Sequence, residues 1–263
     1  VARVLLAGGG TAGHITPCVA VQEALAERQG GVEFHFAAAN RPADRSLLER
    51  LSLPHSPIDA APFPYRPSLA LLRALAALRR ARGQARALIG ELRPDAVFST
   101  GGYVSAAVVP EAARAHVPVV LHAADAMPGR ANVALAKHAD AITLAYQQSA
   151  SRFGNRPTVW TGQPVRRCVR SASRDEGRKQ LGISQDATVI VVIGGSQGAD
   201  SINRALLETL PQLLTIRNLQ IVHFTGTAHI ERIRADTAQL SAAEGSAYHC
   251  HGFLDDPGDA YAA

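Results

Sequence analysis

Aromatic side chains are scarce: one tryptophan, five tyrosines and seven phenylalanines, 5% of 263 residues. Proteins that hold single-stranded nucleic acid interleave aromatic faces with cations, and no such interleaving or recognition motif occurs here, so no nucleic-acid partner is expected. Cysteine is sparse as well. Cys18, Cys168 and Cys250 are odd in number and lack CxxC spacing, which predicts reduced thiols in a cytosolic chain. No apolar run approaches the ~18–20 residues of a membrane span. The N-terminal run Val4-Leu5-Leu6 stops at glycines and reads as a strand rather than a signal peptide. A soluble chain is expected, one still able to lie against a membrane. Acidic residues number 22 against 27 Lys and Arg, a formal net charge of +5 whose placement matters more than its size. Hydrophobic residues at 47% and charged residues at 19% describe an ordinary globular chain, long enough for two domains or one large one.

What is present is a β/α alternation. Strands are predicted near 4–7, 32–37, 95–99, 117–121, 141–144 and 158–161, with helices near 17–29, 68–92, 105–115 and 132–139. That rhythm implies a parallel sheet covered by helices on both faces. Residues 54–67 carry five prolines and are expected to be irregular. Between 162 and 182 the composition turns to Arg, Ser and Asp without an apolar period, as in an interdomain connection. A second unit then opens with the apolar run 187–193, expected as a buried parallel strand. A glycine loop, a helix over 199–214, a strand over 220–224 and a helix over 228–240 come next. The unit falls short of the ~100–150 residues usual for a doubly wound domain, so an incomplete second domain is expected.

Two glycine loops carry the chemistry. Ala7-Gly8-Gly9-Gly10-Thr11-Ala12-Gly13-His14 lies between a strand and a helix, and Gly194-Gly195-Ser196-Gln197-Gly198 repeats the arrangement. Backbone N–H groups and a helix dipole make such a turn an anion site. A dinucleotide dehydrogenase would place an acid at the end of the second strand, about 20 residues beyond its glycines. Here that strand ends Phe36-Ala37-Ala38-Ala39-Asn40-Arg41, and Glu33 lies near its beginning, so the fingerprint fails. His14, near a helix N-terminus, reads either as a neutral general base or as a histidine that caps the turn. His122 sits just past a strand, at the rim where α/β sheets bind ligands, or is a structural histidine bonded to backbone. Gly101-Gly102-Tyr103 follows a third strand at the same rim. His249-Cys250-His251 would put both histidines on one strand face, but no second ligand pair has zinc-like spacing, and no metal site is expected.

Residues 66–93 hold seven arginines (66, 73, 79, 80, 82, 86 and 93) against Glu91 alone. Leu71, Leu72, Leu75 and Leu78 share a helical face. One reading is a surface helix with that apolar stripe in the core. The other is a basic amphipathic surface for anionic lipid.

Taken in order, Gly9-Gly10-Thr11-Ala12-Gly13-His14, Gly101-Gly102-Tyr103-Val104-Ser105, Pro118-Val119-Val120-Leu121-His122, Gly162-Gln163-Pro164-Val165-Arg166, Gly194–Ala199 and Phe253-Leu254-Asp255-Asp256 closely resemble the MurG family of glycosyltransferases. The resemblance implies a GT-B fold, two Rossmann-like doubly wound domains facing a cleft, here with the second truncated. Residues 1–162 would form an acceptor-binding, membrane-associated domain and 163–263 a partial UDP-sugar domain. The implied reaction is inverting transfer of N-acetylglucosamine from UDP-N-acetylglucosamine to undecaprenyl-diphospho-muramyl-pentapeptide, in peptidoglycan synthesis at the cytoplasmic side of the bacterial membrane. It implies no metal and no cofactor, the UDP-sugar being a substrate. By matching positions, His14 would be the base for the acceptor hydroxyl, and Thr11, Ala12 and Gly13 would face the acceptor diphosphate or the reacting centre. Arg166 and Ser196 would meet the donor diphosphate and Leu254 the uracil. Tyr103, His122, Asn132, Gln197 and Gly198 complete the implied substrate-binding set. The family's Glu-Gln-Asn after the second histidine is Ala123-Ala124-Asp125 here, which puts a charge, Asp125, where an asparagine contacts the donor sugar. The family also continues past Asp255-Asp256 into a donor-ribose loop. Those departures leave an alternative, a non-catalytic remnant that binds lipid diphosphate or nucleotide.

Overall fold

A computed structural model describes residues 1–9, 12–61, 69–195, 198–253 and 257–263, apart from the side chains of 12, 43, 69–71, 242 and 243. The chain divides into two compact units, Val1–Arg166 and Arg167–Ala263.

The first unit runs β1 (Ala2–Ala7), α1 (Ala12–Arg28), β2 (Val32–Ala39), α2 (Pro42–Arg50), β3 (His55–Ile58), α3 (Leu69–Leu92), β4 (Ala96–Ser99), α4 (Gly102–Arg114), β5 (Val119–Ala123), α5 (Arg130–Leu135), β6 (Ala141–Leu144) and β7 (Thr158–Trp160). Its sheet is parallel, in the order β3-β2-β1-β4-β5-β6-β7. The chain winds outward from β1 to β3, then returns through α3 to β4 on the other side of β1. The crevice beyond the carboxyl ends of β1 and β4 is thus the topological switch point, where such sheets bind ligands. Both faces of the sheet are covered: Leu5, Ala7, Ala37 and Val97 pack under α3 and α4, while Leu6, Phe36 and Ala38 pack with Ile15, Cys18 and Val19 of α1.

Three expectations change here. Helix α1 begins at Ala12, five residues before Pro17. A proline costs one helical N–H bond, here to the carbonyl of Gly13, an exposed residue whose carbonyl water can serve. Within the proline-rich stretch, His55–Ile58 forms β3; Pro57 is accommodated because β3 is an edge strand. The leucine stripe of α3 is not the core face. Ala74, Ala77, Ala81 and Ala85 are buried with Leu88 and Ile89, whereas Leu72 and Leu75 are 63% and 45% exposed. Small residues let α3 lie close to α4, and only Leu78 of the described leucines in that stripe joins the core.

The second unit comprises α6 (Arg167–Ser171), α7 (Arg174–Gln180), β8 (Thr188–Ile193), α8 (Asp200–Leu213), β9 (Leu219–Phe224), α9 (Ile230–Asp236), α10 (Ala242–Ala247), β10 (Tyr248–His251) and α11 (Gly258–Ala262). Its parallel sheet has the order β10-β9-β8. The stretch read as a connection, 162–182, contains α6 and α7. Arg178 of α7 is buried, its Nε donating to the Ala263 carbonyl (2.7 Å) and its Nη1 to those of Ser184 (2.9 Å) and Gln185 (2.6 Å). The apolar strand β8 lies at the edge of the described sheet and is only partly buried; the central, buried strand is β9, despite His223. In place of one helix over 228–240, α9 ends at Asp236, and α10 starts from a capping box in which Ser241 and Glu244 satisfy each other's backbone N–H.

Candidate functional site

At the switch point, β1 runs into Gly8 and Gly9 and β4 into Thr100, Gly101 and Gly102. His14 lies in the first turn of α1, half-buried. Its Nδ1 stands 3.1 Å from the carbonyl oxygen of Thr100, which can only accept, so Nδ1 carries the proton and Nε2 of the neutral ring keeps its lone pair. The hydroxyl of Thr100 in turn donates to the carbonyl of His14 at 2.6 Å. A Cβ at Gly102 would lie 3.1 Å from Cδ2 and 3.4 Å from Nε2 of His14, so the ring rests on a residue with no side chain. Gly101 and Gly102 both have left-handed backbones, φ 92° and 78°, which glycine alone adopts without strain. A closed ring of bonds fixes that turn: the Gly101 N–H donates to Ser99 Oγ (3.4 Å), Ser99 to Ser105 Oγ (2.7 Å), and Ser105 to the Gly101 carbonyl (2.6 Å).

The structure gathers further residues around this turn. The side-chain amide of buried Asn132, from α5, occupies the place a Cβ of Gly101 would take. Tyr103, next in α4, packs on the core and accepts from Arg41 Nη1 at 3.4 Å. Sequence reasoning missed Asp44. This acid of α2 is buried, and a Cβ at Gly9 would lie 3.2 Å from its Oδ2, so a carboxylate backs the first glycine loop. Ala12 and Gly13 open α1; Thr11 lies outside the described residues.

His122 is 1% exposed and partnered on both nitrogens. Gln163 Oε1, 3.4 Å from Nε2, accepts its proton, and Nδ1 accepts from Thr143 Oγ1 at 2.9 Å. Its ring stacks on Phe98, and burial lowers its pKa. This is the geometry of a structural histidine, with bonds to side chains rather than backbone. Asp125 is exposed two residues beyond β5. Arg166 is not gathered at the His14 turn. Its Nε lies 3.7 Å from Glu23 Oε1, buried and without a hydrogen bond. Glu23 is nine residues along α1 from His14, an axial distance of about 13 Å.

In the second unit, Ser196, Gln197 and Leu254 lie outside the described residues. Gly198 is described: its φ is 76°, and a Cβ there would strike the Thr225 carbonyl and come 2.8 Å from the His229 ring. Behind that carbonyl runs a buried relay with one consistent polarity. Tyr248 donates to His223 Nδ1 (2.8 Å), His223 Nε2–H to Asn203 Oδ1 (3.0 Å), and Asn203 Nδ2 to the Thr225 carbonyl (3.0 Å). Burial pushes His223 down to about 4, so it stays neutral. Nothing in the local sequence marks these partners, which meet only through β9, β10 and α8. His249 and His251 lie on one face of β10 with their Nε2 atoms buried and without hydrogen bonds. No group of three or more His, Cys, Asp or Glu side chains suited to a metal gathers among the described residues.

The arginine-rich helix is divided by Glu111. This carboxylate of α4, 2% exposed, receives Arg82 Nε at 2.7 Å and Arg86 Nε at 2.9 Å, with Arg114 3.7 Å away. Burial pushes its carboxyl up, but the bonds from Arg86 and Arg82 outweigh that and hold it below the usual range. Arg73, Arg79 and Arg80 are exposed beside Leu72 and Leu75, and Arg66 lies outside the described residues. No described helix is long and apolar enough to cross a membrane.

Two parallel-sheet α/β units, each carrying a glycine turn at the carboxyl end of its first strand, are the building blocks of a GT-B type fold, the fold of the glycosyltransferases this chain matches. The family model for the glycosyltransferase family 28 N-terminal domain matches residues 4–144, and that for its C-terminal domain matches residues 189–263. The chain belongs to glycosyltransferase family 28, alongside the enzymes named UDP-N-acetylglucosamine–N-acetylmuramyl-(pentapeptide) pyrophosphoryl-undecaprenol N-acetylglucosamine transferase. The protein of that name from Halothermothrix orenii is 33% identical over 99% of this chain and 71% of its own length. The one from Bacillus subtilis is 29% identical over 92% of this chain and 66% of its own length. The crystal structure of Acinetobacter baumannii MurG superposes with a TM-score of 0.65 at 25% identity, covering 100% of this chain and 71% of that one. The chain thus spans just under two thirds of the Bacillus subtilis relative.

Proposed function

We propose that this chain serves transfer of N-acetylglucosamine from UDP-N-acetylglucosamine to a sugar hydroxyl of undecaprenyl-diphospho-muramyl-pentapeptide. The observation that carries the reading is the bond from His14 Nδ1 to the Thr100 carbonyl, which leaves Nε2 as a proton acceptor at the switch point. In this reading Nε2 takes the proton of the acceptor hydroxyl as its oxygen bonds to the anomeric carbon. The bond from that carbon to UDP breaks, and UDP leaves with the electron pair. Attack opposite the leaving group inverts the anomeric centre. The first unit takes the acceptor, with Ala12, Gly13, Tyr103 and Asn132 around His14. The second takes the donor through its loop at 194–198, where backbone amides stabilise the diphosphate charge without a metal. Arg166, whose Nε approaches Glu23 at 3.7 Å without a hydrogen bond, adds to that charge stabilisation through its remaining N–H donors.

The exposed Leu72 and Leu75 with Arg73, Arg79 and Arg80 form the surface that meets anionic lipid, where the acceptor's tail is anchored. The chain in this reading is peripheral, on the cytoplasmic side of the membrane. The test is transfer of labelled N-acetylglucosamine to a lipid-linked muramyl-pentapeptide analogue, with calorimetric titration of UDP and UDP-N-acetylglucosamine. Transfer supports the enzyme. Acceptor or nucleotide binding without transfer supports the non-catalytic reading, which the exposed charge of Asp125 beyond β5 favours.

A further inference from the structure

We infer that Thr100 is a positioning residue for His14, fixing the tautomer and orientation of the imidazole with both its backbone and its side chain. The inference rests on the proposed role of His14 as base. Thr100 is wholly buried just past β4, and its N–H donates to the Ala7 carbonyl at 3.1 Å, which ties it to the end of β1. Its carbonyl accepts from His14 Nδ1, and its single hydroxyl proton goes to the His14 carbonyl. One residue therefore holds His14 at the ring and at the backbone, 86 positions away in sequence.

The hydroxyl oxygen has its own donor. Cys18, one turn further along α1, places Sγ 3.6 Å from Thr100 Oγ1. Since the threonine proton is already given to His14, the thiol donates. Burial pushes this thiol up to about 12, so the donor keeps its proton throughout the working pH range. The direction Cys18 S–H to Thr100 O–H to the His14 carbonyl is fixed by who owns the protons. Gly8 closes the cluster. A Cβ there would strike the His14 carbonyl and lie 2.8 Å from Thr100 Oγ1 and 3.0 Å from Cys18 Sγ.

Thr100 thus divides its labour between two groups. The carbonyl selects the Nδ1–H tautomer, and the hydroxyl holds α1 so that Nδ1 stays within reach of that carbonyl. Removing the hydroxyl leaves the carbonyl in place but frees the helix turn, and the tautomer preference weakens. A misplaced or wrongly protonated base loses turnover without changing donor affinity.

The test is long-range proton–nitrogen NMR on histidine-labelled chain, comparing wild type with Thr100→Val and Thr100→Ser. In wild type and Thr100→Ser, the His14 signals should show a bare Nε2. In Thr100→Val they should move toward the average of both tautomers. Where the transfer assay reports activity, Thr100→Val should lower kcat about tenfold, leave KM for UDP-N-acetylglucosamine unchanged, and be rescued by Thr100→Ser. If the valine variant does not fold, Thr100→Ala is read the same way. An unchanged His14 tautomer in a folded variant that lacks the hydroxyl overturns the inference. The NMR readout needs no substrate, so a failed tautomer result and a failed transferase reading are told apart.

Discussion

Glu111 holds Arg82 and Arg86, a buried carboxylate of α4 binding two cations of the preceding helix, and so decides which arginines of α3 are structural. Glu111→Gln removes the charge that both guanidinium groups answer. A loss of about 1–3 kcal/mol is expected, moderated because the arginines are partly solvated. The sign with pH comes from the depressed carboxyl: its contribution is full above the unfolded value near 4.5 and is lost as pH falls through the lower folded value. Urea unfolding of wild type and variant at pH 7 and pH 4 measures it, and the gap between them should narrow at the lower pH.

The same division sorts the membrane surface. Arg79 and Arg80 are exposed and outside the Glu111 cluster. Replacing both with alanine should weaken binding to phosphatidylglycerol vesicles by about 2 kcal/mol, roughly thirtyfold, at about 1 kcal/mol per cation. Leu75→Asp should act in the same direction. Arg82→Ala should instead show itself mainly in stability. Vesicle co-sedimentation separates these outcomes.

His223 makes the second unit sensitive to acid. Its folded pKa, about 4, lies below the unfolded value of 6.5, so between those values the unfolded chain binds more protons. The neutral histidine's contribution is full above pH 6.5 and falls as pH drops toward 4, by at most about 1.4 kcal/mol per pH unit. Burial also lowers the pKa of His122, His249 and His251, so the readout is the difference from His223→Gln. Amide exchange of β9 between pH 7 and pH 5 should have a shallower slope in that variant.

Gly8→Ala tests the packing at the switch point. The new methyl meets the His14 carbonyl, Thr100 Oγ1 and Cys18 Sγ, so overpacking should cost about 1–3 kcal/mol and shift the His14 ring signals. Gly30→Ala, with nothing near its Cβ, should do neither. Thermal unfolding and one histidine NMR spectrum check both.

The strand–turn–helix around Gly8–His14 was legible because an apolar run, glycines and an amphipathic segment are adjacent in the chain. Tyr103 was legible with the glycines that follow a strand, whereas Asn132 was readable only through likeness to a family; its amide lies against Gly101. What local pattern could not carry was tertiary. Thr100 is an ordinary turn residue until His14 packs on it, and His223 looks like a polar flaw in an apolar strand until Tyr248 and Asn203 arrive. The leucines of α3 misled because burial there is set by close helix approach, which favours Ala77 and Ala81 over Leu72 and Leu75. Residues 167–180 lacked an apolar period because Arg178 anchors α7 by hydrogen bonds to carbonyls.

His14 bears the central claim, and its removal is the direct test. In the transfer assay, His14→Ala should lower kcat by about 10²–10⁴, the usual worth of a general base, while UDP-N-acetylglucosamine binds as before by calorimetry. A folded His14→Ala chain that transfers sugar at the wild-type rate would contradict the account.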